Sequence, residues 1–402
     1  MTEPDSFETA INVSGTWPEP PTLWSFSALE EVALCPRRYA LRRASYPDLW
    51  DRPGYPERVS ESGLVGVVVH EGVQNVLLAL NRAGCASLAE EKAVGVVRRL
   101  GGYSEIATRA LDAHLKKLAP NPRMSSQVDR LRQRLGHRCE EMRQAIQALV
   151  SQSPIVHTKP DVARTPSAEH PISGRLAVGT HPEATLVAQA DRFTGRIDLL
   201  AVHPDHVDII DFKTGEHSRR HTRQLQLYGL LWVLDEEANP NRLPVRSLTL
   251  AYVTERVTVA VPDDWEALRM ELRNEIAAAD DLVRQRPPPA SPSAECWHCP
   301  VRQMCDKYWQ SAFVDKDPGV IVTDAEIRIL SRNGPTSWRG ALEVDDTDVL
   351  LRTNHGADFQ PGNSVRILDL LASKSEDFDG LILTLTQGSE VFGPVENRRS
   401  PP

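Results

Sequence analysis

No run in the 402-residue chain approaches the roughly 20 consecutive apolar residues that span a bilayer. The first residues, MTEPDSFETAINVSG, lack the basic start and apolar core of a secretory signal. Both absences lead to the expectation of a soluble cytoplasmic protein with no membrane partner. No G-x-x-x-x-G-K-[ST] motif occurs, so the chain has no P-loop of its own, and any unwinding of nucleic acid falls to another chain. No internal repeat is visible. A hydrophobic fraction of 41% is modest, but far above that of a disordered chain. The length allows two or three domains.

Net positive charge is also missing. The formal total is −9, a weak argument against nucleic acid as a partner. The distribution argues otherwise. Residues 92–143 hold 12 Lys/Arg against 5 Asp/Glu, and CPRRYALRR (35–43) adds four arginines and no acid. Residues 315–400 hold 9 basic and 15 acidic side chains. Such segregation can present a basic face despite an acidic total; solvated helix faces are the plainer reading of any single run.

Proline and periodicity divide the chain. Residues 1–24 read as a disordered N-terminus, with Pro18, Pro20 and Pro21 near its end. Ser27 and Glu30 have capping-box spacing, so a helix is expected from Ser27. Residues 25–150 are mainly helical in pattern, broken at 46–57 and 119–122. VGVVVHEGVQNVLLAL is too densely apolar for a surface helix. After the polar segment 151–167, HPISGRLAV, ATLVAQA, GRIDLLAVH and HVDIIDFK read as successive short strands. RQLQLYGLLWVLDEEA follows as a helix with one apolar face. Consecutive prolines make RPPPASPSAEC (286–296) an extended linker. Residues 151–310 are thus an α/β core ending in a cysteine motif, and 318–395 a small β-rich domain.

VDIIDFKTGE contains the main oddity, a carboxylate and an amine ending a buried strand. Period-two alternation puts Asp211 and Lys213 on one side and Phe212 on the other, toward the core. GRIDLLA places Asp198 at the equivalent position of the neighbouring strand. Two carboxylates beside a lysine suit a hard divalent cation, with the lysine orienting water or steadying charge on a phosphate. Taken alone, Asp-x-Lys is more simply a salt bridge on a strand. Gly66 and His70 lie one helical turn apart, and a lone histidine there is more simply a core residue. Gln224 and Tyr228 share a helix face, as any amphipathic helix would allow. Arg219, Arg220 and Arg223 lie beside them, where they could meet phosphates.

In sequence order, G-x-x-x-H, G-x-I-D, D-x-K-T-G and Q-x-x-x-Y resemble the RecB-type branch of the PD-(D/E)XK nucleases, over residues 25–310. The resemblance implies a restriction-endonuclease-like core, a mixed sheet flanked by helices. It also implies a Mg2+- or Mn2+-dependent deoxyribonuclease, with exonuclease action favoured over endonuclease. By the same resemblance His70, Asp198, Asp211 and the Phe212 backbone carbonyl hold the metal. Lys213 is the catalytic lysine, and Gln224 and Tyr228 contact DNA. Family members often carry a further acid on the preceding strand, a role for which Glu169 is the candidate.

CWHCPVRQMC groups Cys296, Cys299 and Cys305, a spacing that points to metal rather than disulfides in a cytosolic protein. A fourth ligand is wanting. CPRRY, with Cys35, resembles the N-terminal cysteine motif of the iron–sulfur subgroup of these nucleases, which includes AddB-type subunits and CRISPR-associated exonucleases. The resemblance implies a [4Fe–4S] cluster tying together positions 261 residues apart. Zn2+ is the alternative, with four thiolates or with His298 replacing one. Cys85 and Cys139 read as packed thiols.

DFQPGNSVRILDLLA and GLILTLTQGSEV suggest an OB-like barrel. Its acidity and few aromatics (Trp338, Phe359, Phe378, Phe392) fit docking to a partner, such as a helicase or a defence complex, better than strand binding. The expected function is cleavage of single-stranded DNA or DNA ends, in repair, recombination or defence against phage or plasmids. A catalytically silent DNA-binding scaffold and a zinc-stabilised interaction protein are the rivals.

Overall fold

The computed structural model describes residues 17–47, 49–156, 175–310, 322–353, 358–375 and 378–395. The helices are α1 (Phe26–Leu34), α2 (Pro36–Arg43), α3 (Glu61–Arg82), α4 (Glu91–Arg99), α5 (Gly102–Leu118), α6 (Val128–Gly136), α7 (Cys139–Ser151), α8 (Arg219–Leu234), α9 (Trp265–Arg284) and α10 (Asp306–Trp309). The strands are β1 (Gly179–Ala188), β2 (Phe193–Val202), β3 (Val207–Lys213), β4 (Val245–Tyr252), β5 (Arg256–Val259), β6 (Val322–Gly334), β7 (Ser337–Leu342), β8 (Asp348–Arg352), β9 (Ser364–Ser375), β10 (Phe378–Thr384) and β11 (Glu390–Val395). The described residues fall into two compact units: those within 20–30 and 56–281, and those within 17–19, 31–55 and 282–395.

The first unit is mixed α/β. Its sheet runs β1-β2-β3-β4-β5, antiparallel except for the parallel β3–β4 pair. Helix α8 supplies the crossover that a parallel pair requires. Apolar residues of α3, α5 and α7 cluster with Leu199, Ile210, Phe212 and Ala251 from one face of the sheet. Strand alternation then sends Asp211 and Lys213 to the opposite face, as their period predicts. By length and mean hydropathy α3 would pass for a membrane span, which the sequence reading missed, but half of it is buried. Val68, Val69, Val73 and Val76 belong to this core.

Two glycines of the motifs have steric reasons. A Cβ on Gly195 would come within 2.8–2.9 Å of Leu231 and Tyr228, so the bare backbone lets α8 lie against β2. A Cβ on Gly66 would come 3.1 Å from Thr214 Oγ1, tightening the approach of α3 to the loop after β3.

Three expectations shift. Trp24, assigned to a disordered terminus, is fully buried; it pairs with Phe193 and donates Nε1–H to Asp280 Oδ1 at 3.0 Å. The first helix begins at Phe26, with Ser25 Oγ accepting from the Ala28 N–H at 3.3 Å, so Ser25 caps where Ser27 was expected. One strand, β1, precedes β2 where HPISGRLAV and ATLVAQA were read as two; residues 175–178 lie outside it and 170–174 outside the described residues. Pro182 fits inside β1 because that strand is an edge.

In the second unit, β6–β7–β8 form a meander, β9 pairs with β6, and β10 pairs with both β8 (parallel) and β9 (antiparallel). These pairings link β6, β7, β8, β10 and β9 in a ring around Ile327, Trp338, Leu351, Ile367 and Leu383. Arg302, just before the last cysteine of the motif, is buried between Asp324 and Asp369. Tyr308 donates its hydroxyl to Asp324 at 2.7 Å. This network fastens the cysteine segment to the strand ring.

Candidate active site and cysteine pocket

The β2–β3 hairpin sets the centre of the site. Its register pairs Leu199 with Ile210, so Asp198 and Asp211 lie one step further on, on the same face. Asp198 Oδ2 accepts the Phe212 N–H at 2.6 Å, which anchors one carboxylate to the other's strand. Asp211 is 2% exposed, and its Oδ2 is ion-paired with the Lys213 ammonium without making a well-aligned hydrogen bond. Lys213 also donates to Gln224 Oε1 at 3.0 Å, and the Gln224 amide donates to the Tyr228 hydroxyl at 2.8 Å. His70 Nδ1, from α3, sits 3.3 Å from Asp198 Oδ1.

The acid missed by sequence reasoning is Glu183. Glu169 lies outside the described residues. Within β1, Pro182 pairs with Leu199 and Ala184 with Ile197, which sets Glu183 opposite Asp198. Ligand atoms of His70, Glu183 and Asp198 lie within 4.8 Å of one another. Glu183 has φ +56°, a left-handed conformation uncommon in non-glycine residues. Arg196 pairs with its carboxylate. The signal was available: Glu183 is the sole acid of GTHPEATLVA, just ahead of the run ATLVA.

Burial forces these charges into unequal states. Burial, then the repulsion of Asp198, pushes Asp211 up to about 7 against the pull of Lys213. Asp198 moves below the usual carboxylate range, because His70, Lys213 and the Phe212 N–H outweigh its burial. Glu183 is raised by burial and by Asp198. His70 is raised, its burial being outweighed by Asp198 and, after it, Asp211 and Glu183. Three carboxylates, offset in part by Lys213, Arg196 and His70, crowd one poorly solvated pocket, a strain that raises two of them. A divalent cation would relieve it, and oxygen and imidazole donors suit Mg2+ or Mn2+.

The expected DNA contacts divide. Tyr228 is buried, with its hydroxyl committed to Gln224. Arg220 pairs with Glu30, and Arg223 with Glu271 and Glu275 of α9, so these two charges are already met within the protein. Arg219 is exposed at the start of α8.

In the second unit one pocket is lined by Cys35, Cys296, Cys299 and Cys305 together with Arg37, Arg38, Arg302 and Lys307. Cys35 occupies the N-cap position of α2, followed by Pro36 at the first helical position. Arg37 holds the proline-rich linker, its N–H donating to Pro289 O at 2.9 Å and its Nε to Pro288 O at 2.6 Å. This brings the two cysteine segments together. Backbone N–H groups of Ser291 and Ser293 donate to the sulfurs of Cys35 and Cys296 at 3.5 and 3.3 Å. Burial pushes the Cys299 thiol up to about 11 and raises Cys305. Among the described residues, no three cysteine sulfurs lie within 4.8 Å of one another. His298 is exposed and outside the lining. Cys85 is buried in the helical core, and Cys139 packs against it.

The sequence profile of the PD-(D/E)XK nuclease superfamily matches residues 23–306, and the chain belongs to that family. Nucleases of this superfamily are generally phosphodiesterases that use divalent metals, typically Mg2+ or Mn2+. No curated protein matches the chain. Among solved structures, a murine DNA-binding protein bound to double-stranded DNA aligns at 9% identity, covering 52% of this chain and 90% of that one, with a TM-score of 0.17. A structure described as "Structural mimicry for functional antagonism" aligns at 9% identity, over 48% and 80%, with a TM-score of 0.17. The p204 HINb domain aligns at 10% identity, over 48% and 82%, with the same TM-score. Similarity at this level says nothing about activity.

Proposed function

We propose that the chain is a metal-dependent deoxyribonuclease acting on single-stranded DNA or DNA ends, exonucleolytic rather than endonucleolytic. The observation that carries the reading is the buried cluster of carboxylates around Asp198 and Asp211, with Lys213 held beside it by Gln224. A scaffold that only binds DNA has no need to keep His70, Asp198, Asp211 and Lys213 together. Glu183, Asp198, Asp211 and His70, with the Phe212 carbonyl at the strand end, would hold the cation. Bound there, it would polarise the scissile phosphate and make water nucleophilic at neutral pH. Lys213 keeps its ammonium at the mouth of the site, where it meets charge developing on the phosphoryl oxygens. Gln224 fixes the direction of that ammonium, and Tyr228 fixes Gln224. Tyr228 thus acts through Gln224 rather than on DNA, while Arg219 is free to meet phosphate.

End-labelled single- and double-stranded DNA, linear and circular, incubated with Mg2+ or Mn2+ tests this reading. Linear strands should shorten from their ends while circles persist. Cleavage of closed circles would make the enzyme an endonuclease, and no cleavage of any substrate would favour the scaffold.

The cysteine pocket supports a structural [4Fe–4S] cluster. Tetrahedral zinc with sulfur at about 2.3 Å needs thiolates about 3.8 Å apart, a closeness that no three of these sulfurs share among the described residues. The basic lining and the N–H groups on sulfur suit a bound group of net negative charge. Reduced thiols go with a cytoplasmic protein. The ring order of β6–β10 supports an OB-like reading of the C-terminal strands. Trp338 and Phe359 pack edge to face at 5.7 Å and are buried, as is Phe392, which favours docking to a helicase or defence-complex partner over base stacking. Repair, recombination and defence against phage or plasmids are the processes that such an enzyme would serve.

A further inference from the structure

The turn between β2 and β3, HPDHVD, gathers a second set of metal-type donors at the other end of the hairpin from Asp198 and Asp211. His203 Nε2 lies 3.2 Å and His206 Nε2 3.8 Å from Asp208 Oδ2. All three donor atoms fall within 4.8 Å of one another. The two imidazoles stack at 4.3 Å with 15° between their planes, so both Nε2 atoms lie near the same carboxylate. Both Nε2 atoms are buried, and neither makes a hydrogen bond among the described residues. His206 Nδ1 meets Asp205 Oδ1 at 2.6 Å, a second carboxylate that fixes the ring and directs the Nε2 lone pair at the cluster. Asp208 is buried and held by Arg246 Nε at 3.1 Å and Ser247 Oγ at 2.6 Å, both on Oδ1.

Two buried imidazole nitrogens stand beside a buried carboxylate, and neither is hydrogen-bonded among the described residues. Buried polar atoms without partners are costly. A dication satisfies all three donors at once. Arg246 Nη2 also donates to Oδ2 at 2.5 Å, so an ion at that oxygen displaces this 58% exposed side chain.

We propose that His203, His206 and Asp208 form a second metal site, for a borderline transition ion such as Zn2+, Ni2+ or Co2+. Two imidazoles and one carboxylate select such ions over Mg2+ or Ca2+. Three protein ligands leave a position for water. The site lies five residues beyond Asp198, roughly 17 Å at the rise of an extended strand, so it is separate from the nuclease centre. Its ligands come from both sides of the turn, so the ion clips the hairpin that carries the catalytic acids.

The test uses the full chain with the nuclease centre neutralised by Asp198→Asn and Asp211→Asn. Equilibrium dialysis against Zn2+ alone, with metal analysis, compares that background with the same chain carrying His203→Gln, and separately the near-isosteric Asp208→Asn. Each added substitution should remove one equivalent of Zn2+ and abolish the Zn2+-dependent part of the melting-temperature rise. Circular dichroism should be unchanged. Because the readout is stoichiometry rather than cleavage, it stands or falls independently of the nuclease reading. Equal zinc content in background and variants would overturn the proposal, as would a variant that keeps the full Zn2+-dependent rise.

Discussion

The acid cluster and the cysteine pocket are built in opposite ways. Asp198, Asp211 and Lys213 come from one hairpin, and strand register alone aligns them. Cys35 reaches its partners across 261 residues, through the N-terminus of α2 and a proline-rich linker pinned by Arg37. In the first region the backbone holds the donors in place before any cation arrives, at the cost of buried repulsion. In the second, a bound group would itself close the fold, so binding and folding are one event. A ligand lost from the hairpin should therefore harm chemistry, and a ligand lost from the pocket should harm stability.

The largest effect follows from that contrast. With the proposed cluster in the pocket, Cys35→Ala should lose iron and visible absorbance, and drop in melting temperature as far as Cys299→Ala. Cys85→Ala, a small packed thiol, should cost at most about 1 kcal/mol. Iron analysis and thermal melts of the three decide. If Cys35→Ala keeps iron and melting temperature while Cys299→Ala loses both, Cys35 is not a ligand.

Next in size, Glu183→Gln should slow cleavage about ten- to a hundredfold with little change in folding, as for other groups that support a metal site. Steady-state rates over a range of Mn2+ concentrations measure it. An unchanged rate would remove Glu183 from the centre.

How much of this was legible follows residue by residue. Asp198, Asp211 and Lys213 could be read because strand alternation is a local rule, and their order with Gly66–His70 and Gln224–Tyr228 carried the family. Glu183 escaped because the boundary of β1 was misplaced, and its left-handed φ leaves no trace in composition. Arg220 and Arg223 looked free because their acidic partners, Glu30, Glu271 and Glu275, are distant in sequence. Ser25 was passed over for Ser27 because capping-box spacing fitted the latter. The histidines of HPDHVD form a cluster only once the turn brings His203 and His206 side by side.

The smallest effect has the opposite sign. Asp211 is raised from 3.8 to about 7, so the folded metal-free protein binds this proton more tightly than the unfolded chain does. Stability therefore falls as pH rises from about 4 to about 7, and the penalty is complete above that. That change corresponds to at most about 4 kcal/mol, with the pull of Lys213 already included in it. In chelator at pH 8, Asp211→Asn should thus be more stable than the parent by about 1–3 kcal/mol, with the difference shrinking toward pH 5. Denaturant melts at the two pH values check it; a less stable variant at pH 8 would show that Lys213 outweighs the repulsion.

The most direct measurement pairs Mn2+ binding with single-turnover DNA cleavage in Lys213→Ala. Lys213 stands beside the carboxylates without being a ligand, so the variant should bind Mn2+ as the parent does. Its cleavage should fall by about a hundredfold or more, the usual cost of removing a group that stabilises charge in the transition state. Full cleavage by Lys213→Ala, with Mn2+ bound as in the parent, would contradict the assignment of this hairpin as the catalytic centre.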